Sequence, residues 1–185
     1  MLNKQRFIKS VLGLALLSAG TVASAAIVTG GTVHFTGEIV DAACAVSADS
    51  VDQTVKMGQY RTKLLEGKGT YSTAVPFTIK LEDCDTEVSK NASVAFYGNQ
   101  AADDATVLAV SNTSGGAAGA ANGVGIEIRD YTDKVVEPNG NVFSTAQKLV
   151  DGSNVLSFSA RYKSTAATVS PGAANADATF KMQYN

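Results

Sequence analysis

This sequence is poor in the residues on which most catalytic centres depend. It has no tryptophan, three prolines, two cysteines and a single histidine, and aromatic residues make up only 7% of the chain. With one histidine, neither a Ser-His-Asp nor a Cys-His arrangement has much support. His34 alternates away from Val33 and Phe35, as expected of a solvated strand residue. The sequence therefore predicts a protein that is not an enzyme and that has no cofactor and no metal site.

A long hydrophobic run is also missing, apart from a short one near the N-terminus. Lys4, Arg6 and Lys9 precede the apolar stretch 11–17, and Ala23-Ser24-Ala25 follows as an A-x-A cleavage pattern. This order predicts a secretory signal peptide over residues 1–25, with cleavage after Ala23 as the alternative. A membrane anchor is the competing interpretation, but the run is too short to span about 30 Å of hydrocarbon.

Positive charge is scarce once this segment is removed. Cleavage takes away three of fifteen basic residues and none of the seventeen acidic ones, so twelve remain against seventeen and the net charge is −5. An acidic chain disfavours binding to nucleic acid or to anionic lipid. The sequence predicts an exported protein with no nucleic-acid partner and no membrane insertion after cleavage.

Both cysteines, Cys44 and Cys84, remain after cleavage. An even count in an exported chain predicts one disulfide. A metal site is the alternative. It is disfavoured because the chain has no C-x-x-C spacing and because His34 lies near only one of the two thiols in sequence.

The rest of the chain has the pattern of short antiparallel strands separated by glycine-rich turns. No segment after the signal peptide keeps a helical apolar period for three turns. The predicted fold is therefore all-β, an antiparallel β-sandwich of immunoglobulin-like type. The strands are expected over 51–57, 74–81, 93–97, 124–128 and 154–162.

The two ends of the exported chain also have the pattern of strands. Ala178–Tyr184 alternates between apolar and polar residues, and only Asn185 follows it in this sequence. At the other end, one face of an extended segment carries Ile27, Thr29, Gly31, Val33 and Phe35. A domain that begins with a spare strand and ends in an unpaired one is expected to polymerise.

Other candidate sites have simpler interpretations. Glu82, Asp83 and Asp85 lack the spacing of a calcium loop, and alternation along a strand would turn successive carboxylates to opposite faces. Asp103-Asp104 is expected in a loop. The glycine-rich stretch 111–125 has no Gly-Lys-Ser/Thr sequence and predicts a mobile surface loop rather than a phosphate site.

Several stretches together resemble the type 1 fimbrial major subunit of enterobacteria, a chaperone–usher pilin. They are residues 30–35 (GGTVHF), 40–46 (VDAACAV), 51–55 (VDQTV) and 171–180 (PGAANADATF). The paired cysteines, the penultimate Tyr184, and Gly172 as the fourteenth residue from the end match hallmarks of that family. The chain departs from the family at Ile27-Val28, which is bulkier than the polar segment usual there.

The resemblance implies an immunoglobulin-like sandwich that lacks its final strand and is completed by donor-strand exchange, a form of strand addition. It implies three regions: a signal peptide at 1–25, an N-terminal donor-strand extension at 26–36, and a pilin domain at 37–185. The implied partners are other copies of the chain, other fimbrial subunits, a periplasmic pilus chaperone and an outer-membrane usher. The implied location is the cell-surface fimbria.

Residue roles follow from combining the resemblance with the strand pattern. The acceptor groove is expected beside Ala178, Phe180, Met182 and Tyr184, with Gly172 nearby. Gly31 has no side chain on the donor's inward face, so the groove should be narrow where it binds, and a large residue there should stop assembly. The predicted function is a shaft subunit that supports cell adhesion. A minor or adaptor subunit is the alternative, and a carbohydrate-binding adhesin or a periplasmic hydrolase or inhibitor is less well supported.

Overall fold

The computed structural model of the chain describes residues 28–112 and 119–185. The chain divides into two units, Met1–Glu38 and Ile39–Asn185. In the first unit, residues 28–38 are all exposed and have no regular secondary structure. The predicted signal peptide and Ile27 lie outside the described residues.

The second unit is built almost entirely from strands. Its two helical pieces are single turns, α1 (Ala48–Val51) and a 3₁₀ helix (Thr62–Leu65). The strands are β1 (Ala45–Val46), β2 (Val75–Cys84), β3 (Asn91–Gly98), β4 (Gln100–Ala101), β5 (Asp104–Ala109), β6 (Val124–Asp130), β7 (Gln147–Lys148), β8 (Gly152–Ser164) and β9 (Ala178–Tyr184).

Antiparallel pairing arranges these strands in two sheets. The larger sheet has the order β1-β2-β8-β6-β5-β4, and the smaller has the order β7-β3-β9. The long central strands β2 and β8 pair from Val75 opposite Ala160 to Leu81 opposite Asn154. β1 and β9 are therefore both edge strands, one in each sheet.

The two sheets face each other across a core of aromatic and aliphatic side chains. The ring centre of Phe96 on β3 lies 5.3 Å from that of Phe158 on β8 and 6.0 Å from that of Phe77 on β2. Ile79 and Leu81 on β2 are fully buried. This alternation of inward apolar side chains is what the period-2 sequence pattern predicts, and it confirms the all-β sandwich.

Most of the predicted strands are present, since β3, β6 and β8 contain the segments expected there and β2 contains all of the expected 74–81 except Ala74. The strand expected over 51–57 is wrong, because the helical turn occupies Val51 and residues 52–61 have no regular structure. Val55 and Met57 of that segment are partly buried, and Met57 packs against the core, but the backbone of the segment joins no strand ladder. β5 was missed, because Asp104 begins a strand rather than lying in a loop.

The loop expected over 111–125 is also partly wrong. Gly125 belongs to β6 and is buried, and a side chain there would collide with Val107 of the neighbouring strand. The glycine is needed for close approach of two strands, which the local composition does not distinguish from loop flexibility. Residues 113–118 lie outside the described part of the chain.

A cluster of charges covers the outer face of the larger sheet. The Glu127 carboxylate is almost fully buried and accepts hydrogen bonds from Arg129 Nε at 2.7 Å and Arg161 Nε at 3.0 Å. Lys163 Nζ lies 2.7 Å from Asp104 Oδ2 and 3.6 Å from Glu127 Oε2. The cluster links β5, β6 and β8. Each of its charged groups lies beside a group of opposite charge.

Candidate functional site

One edge of β9 has no strand beside it among the described residues. Its other edge pairs with β3 over its whole length, from Ala178 opposite Gly98 to Tyr184 opposite Ala92. A free edge presents backbone N–H and C=O groups that can pair with another strand. β9 is therefore able to accept a strand of suitable sequence.

The inward side chains of β9 are only half covered. Phe180, Met182 and Tyr184 are partly exposed, although all three pack against the core, and the Phe180 ring centre lies 6.4 Å from that of Phe96. Inward residues of a complete sandwich are normally buried, as they are on β8. Apolar surface is therefore left open beside the free edge of β9.

The facing wall is the chain that runs from Cys44 to Tyr60. Val46, Met57 and Tyr60 on this wall pack against the core but are also only partly buried. Residues 53–60 join no strand ladder among the described residues. Side chains hold them to β2 and to the residues just before it, since Gln53 Nε2 donates to Thr78 O at 3.1 Å and Tyr60 Oη donates to Thr73 O at 3.3 Å.

At one end the two walls are joined by a tyrosine. Tyr184 Oη donates a hydrogen bond to Cys44 O at 3.2 Å, between residues 140 positions apart in sequence. Cys44 is fixed by its disulfide to Cys84 at the end of β2. Burial raises the pKa of the Tyr184 phenol, so at neutral pH the hydroxyl keeps the proton that it donates. We call this the tyrosine end.

Small side chains line the other end of the open strip between the two walls. Ala174 and Ala176 precede β9, keep its alternation and pack against the core. Tyr162 Oη donates to Ala174 O at 2.8 Å, and the Tyr60 ring lies edge-on to Tyr162 at 5.7 Å. We call this the alanine end, and we use "groove" for the open strip between Cys44–Tyr60 and Ala174–Tyr184.

The sequence correctly predicts one of these features outright, the disulfide between Cys44 and Cys84. Ala178, Phe180, Met182 and Tyr184 share one face of β9, at the groove. Gly172 lies outside β9, in a segment whose backbone pairs with residues 119–122.

The expected donor residues lie in the other unit. Thr29, Gly31, Val33 and Phe35 are exposed, with Val33 73% and Phe35 92% accessible. Ile39, the next large apolar residue of the same parity, is 100% accessible. The sequence prediction did not include Ile39, Ala174 or Ala176, although continuing the two alternating patterns by two to four residues reaches them.

Comparison with known proteins places the chain in a family. A model of the fimbrial protein family matches residues 33–185, which is most of the sequence and includes both walls of the groove. The chain belongs to the fimbrial protein family. It is a structural subunit of a bacterial surface fimbria, in a family that polymerises by donor-strand exchange, and its fold is the incomplete immunoglobulin-like sandwich of pilins.

Individual fimbrial proteins are similar over nearly the whole chain. The fimbrial-like protein SfmA of Escherichia coli K12 is 52% identical over 181 residues, covering 98% of this chain and 99% of SfmA. The type-1 fimbrial protein A chain of Escherichia coli K12 is 51% identical over 172 residues, covering 92% of each chain.

Solved pilus structures share the fold. A subunit from the structure of a chaperone–usher pilus has a TM-score of 0.69 and 29% identity, covering 88% of this chain and all of that subunit. The P pilus rod subunit PapA has a TM-score of 0.64 and 26% identity, covering 78% of this chain and all of PapA. The described residues contain no helix long and apolar enough to cross a membrane.

Proposed function

We propose that this fimbrial subunit builds a fimbrial shaft by placing residues 26–36 of one copy in the groove of the next. The observation that carries the proposal is that one chain has both complementary parts. It has an open apolar strip beside the free edge of β9, and it has an exposed segment with apolar residues on one face. Each copy then gives one strand and receives one, which is the open-ended geometry that a filament needs.

The exposed segment is suited to this role because burial would cover its side chains. Val33 and Phe35 would each contribute about 1.5–3 kcal/mol on full burial. Backbone hydrogen bonds to β9 would add pairing without sequence preference, while the side chains set the register. The same face continues through Gly37 to Ile39, so the donor strand extends to Ile39 in this proposal.

The site residues divide between the two partners accordingly. The donor face consists of Ile27, Thr29, Gly31, Val33, Phe35 and Ile39. The acceptor face consists of Ala178, Phe180, Met182 and Tyr184 on β9, with Ala174 and Ala176 before it. Gly172 acts at a distance, by allowing residues 170–175 to lie close against 119–122.

The exposed apolar groove implies that the subunit has transient partners before it enters the fibre. A subunit released into the periplasm with uncovered apolar surface would aggregate, so we assign a periplasmic chaperone that supplies a temporary strand to the groove. An outer-membrane usher would then be the place where the next subunit's segment replaces that strand. Separating two subunits of an assembled fibre would require extraction of the whole donor strand from the core. Dissociation of the fibre would therefore be slow.

The test is to supply the donor within one chain. A copy of residues 26–41 is joined after Asn185 through a flexible linker, and the chain's own residues 26–41 are removed. We expect a monomer that unfolds cooperatively in urea, whereas the same chain without the graft should aggregate or unfold at low denaturant. A matched graft with Val33→Asp and Phe35→Asp keeps the length and should not rescue folding. A stable, cooperative monomer without any graft would refute the proposal.

A further inference from the structure

Three residue pairs in the sequence have the chemistry for succinimide formation. In an Asn-Gly or Asp-Gly pair, the glycine nitrogen can attack the side-chain carbonyl carbon of the residue before it, because glycine has no side chain to block the approach. The pairs are Asn122-Gly123, Asn139-Gly140 and Asp151-Gly152. The attack needs a side chain that can rotate and a glycine N–H that is free, so the contacts of each pair decide whether it reacts.

The structure holds both reacting groups of the Asn139-Gly140 pair. Asn139 Oδ1 accepts a hydrogen bond from Asn141 N at 2.8 Å, and Asn139 Nδ2 donates to Glu137 Oε2 at 3.1 Å. Gly140 N donates to Phe96 O at 2.8 Å. Attack of Gly140 N on the Asn139 side chain would therefore require several hydrogen bonds to break first.

The Asp151-Gly152 pair is protected in another way. Asp151 Oδ1 accepts hydrogen bonds from Thr86 Oγ1 at 2.6 Å and from Thr86 N at 2.8 Å. These hydrogen bonds, from the hydroxyl first and the backbone second, hold the pKa of the Asp151 carboxyl below its ordinary 3.8. The group is therefore a carboxylate near neutral pH, and its negative charge repels a nitrogen anion that would attack it.

The Asn122-Gly123 pair has neither form of protection. Asn122 is exposed, and its side-chain amide makes no hydrogen bond to any residue in 28–112 or 119–185. Gly123 N likewise donates to none of these residues, although Gly123 O accepts from Thr165 N at 2.8 Å. The backbone of Asn122 pairs with Ser170, through N–H···O bonds of 3.3 Å and 3.0 Å. That pairing engages neither the Asn122 side chain nor Gly123 N.

We propose that Asn122 is a site of spontaneous deamidation. Gly123 N gives its proton to hydroxide and attacks Asn122 Cγ, so that an N–Cγ bond forms. The Cγ–Nδ2 bond breaks, and Nδ2 takes a proton from water and leaves as ammonia. Water then opens the five-membered succinimide at either carbonyl, which produces aspartate or isoaspartate at position 122. Each converted chain gains one negative charge.

The isoaspartate product changes the backbone beside the alanine end of the groove. Its main chain runs through the former side chain, which adds one backbone atom before Gly123. The surroundings leave no room for this atom, since even an added Cβ on Gly123 would lie 2.5 Å from Thr168 O. The pairing of position 122 with Ser170 should weaken, and this pairing helps to hold residues 170–175 in place. A converted subunit should therefore bind a donor strand less tightly, a consequence that rests on the proposed donor-strand function.

Peptide mapping tests the chemistry. The mature chain, residues 26–185, is incubated at pH 8 in buffer with an excess of a synthetic peptide of residues 26–41, and in parallel in concentrated urea. Mass spectrometry and isoaspartate-specific methylation follow each pair. In buffer, Asn122 should convert at least about tenfold faster than Asn139, whose hydrogen bonds must break first. In urea, where these contacts are lost, the two Asn-Gly pairs should convert at similar rates.

An Asn122→Gln chain is the matched control. It keeps the amide but places it one methylene further from Gly123 N, so conversion at position 122 should stop while the slow conversion at Asn139 is unchanged. Equal conversion of Asn122 and Asn139 in buffer would overturn the proposal. So would the absence of conversion at Asn122 in buffer when both pairs convert in urea.

Peptide binding tests the consequence for the groove. Converted chains carry one more negative charge, so ion exchange separates them, and binding of the fluorescently labelled peptide of residues 26–41 is measured for each fraction. The isoaspartate fraction should bind about three- to tenfold more weakly than the unmodified chain, as expected for the loss of about one backbone hydrogen bond. An Asn122→Asp chain has the added charge on a normal backbone and should bind like wild type.

The outcomes separate this inference from the donor-strand function. Equal binding by the isoaspartate fraction and the unmodified chain would overturn the effect on the groove. Equally weak binding by the isoaspartate fraction and the Asn122→Asp chain would show that charge, not backbone length, is responsible, and would overturn it too. Failure of the unmodified chain to bind the peptide would instead refute the proposed donor-strand function.

Discussion

Asp130 shows how much one buried carboxylate can organise. It ends β6, and its Oδ1 accepts hydrogen bonds from Thr132 N at 2.9 Å and Lys134 N at 3.1 Å, while its Oδ2 accepts one from Thr145 N at 2.7 Å. Burial alone would raise the pKa of this carboxyl, but the hydrogen bonds from Thr145 and Thr132 outweigh it and hold the pKa below the ordinary 3.8. The charged form is therefore the one that the fold requires.

We expect Asp130→Ala to lower the free energy of unfolding of the donor-complemented monomer by about 2–3 kcal/mol at pH 7, because charge-assisted hydrogen bonds are lost and their donors are left unpaired. The folded-state pKa is depressed, so the contribution of Asp130 is complete above the unfolded pKa and is lost as pH falls through the folded one. The difference between wild type and variant should shrink below pH 4.

Urea unfolding at pH 7 and at pH 3 measures both effects. Asp103→Ala, which removes an exposed carboxylate, is the control and should change stability little at either pH. A difference between wild type and Asp130→Ala that grows on acidification would contradict this account of Asp130.

At the scale of elements, the segment before β9 matters as much as β9 itself. Residues 170–175 pair through their backbone with Ser111 and with residues 119–122. This pairing fixes where β9 begins and holds the alanine end of the groove in place. At Gly172 the two segments lie so close that an added Cβ would be 2.5 Å from both Ala120 C and Gly119 O.

Gly172→Ala should therefore lower the free energy of unfolding of the complemented monomer by about 1–3 kcal/mol through overpacking against backbone that cannot move aside. Gly119→Ala is a good comparison, because a Cβ there meets nothing within 4 Å. Chemical denaturation of the two variants checks the prediction. Equal stability of the two would show that the close contact is not rigid.

Residues 52–61 show what an alternating sequence pattern cannot predict about a single element. Val55 and Met57 are partly buried and Met57 packs against the core, yet the segment is not a strand because no neighbouring strand pairs with it among the described residues. An alternating pattern of apolar side chains indicates which residues are buried. A strand also requires a neighbouring strand whose backbone forms hydrogen bonds with it. β5 is the reverse case, since pairing with β4 and β6 makes a strand of a segment that begins with a charged residue.

At the scale of the whole molecule, the disulfide joins Cys44, just before β1, to Cys84 at the end of β2. Cys44 and Cys84 are 40 residues apart, and Cys44 also accepts the hydrogen bond from Tyr184. The cross-link thus stabilises the fold and holds the tyrosine end of the groove at a fixed width.

Replacing both cysteines, Cys44→Ser with Cys84→Ser, should cost about 4 kcal/mol in the complemented monomer, the chain-entropy value for a loop of this length. Urea unfolding of the variant and the oxidised wild type gives the difference directly. Reduced wild type, which keeps both side chains, controls for the serine substitutions. A loss below about 1 kcal/mol would mean that the unfolded chain is not restricted by the cross-link.

The sequence by itself determined the class of the fold, the disulfide and the inward face of β9, because each depends on local composition or on a period of two. The tertiary structure decided the groove. Tyr184 and Cys44 meet across 140 residues, Tyr162 reaches Ala174, and residues 53–60 become a wall without becoming a strand. Long-range contacts of this kind depend on how two sheets pack, and packing depends on all the side chains between them rather than on any one stretch of sequence.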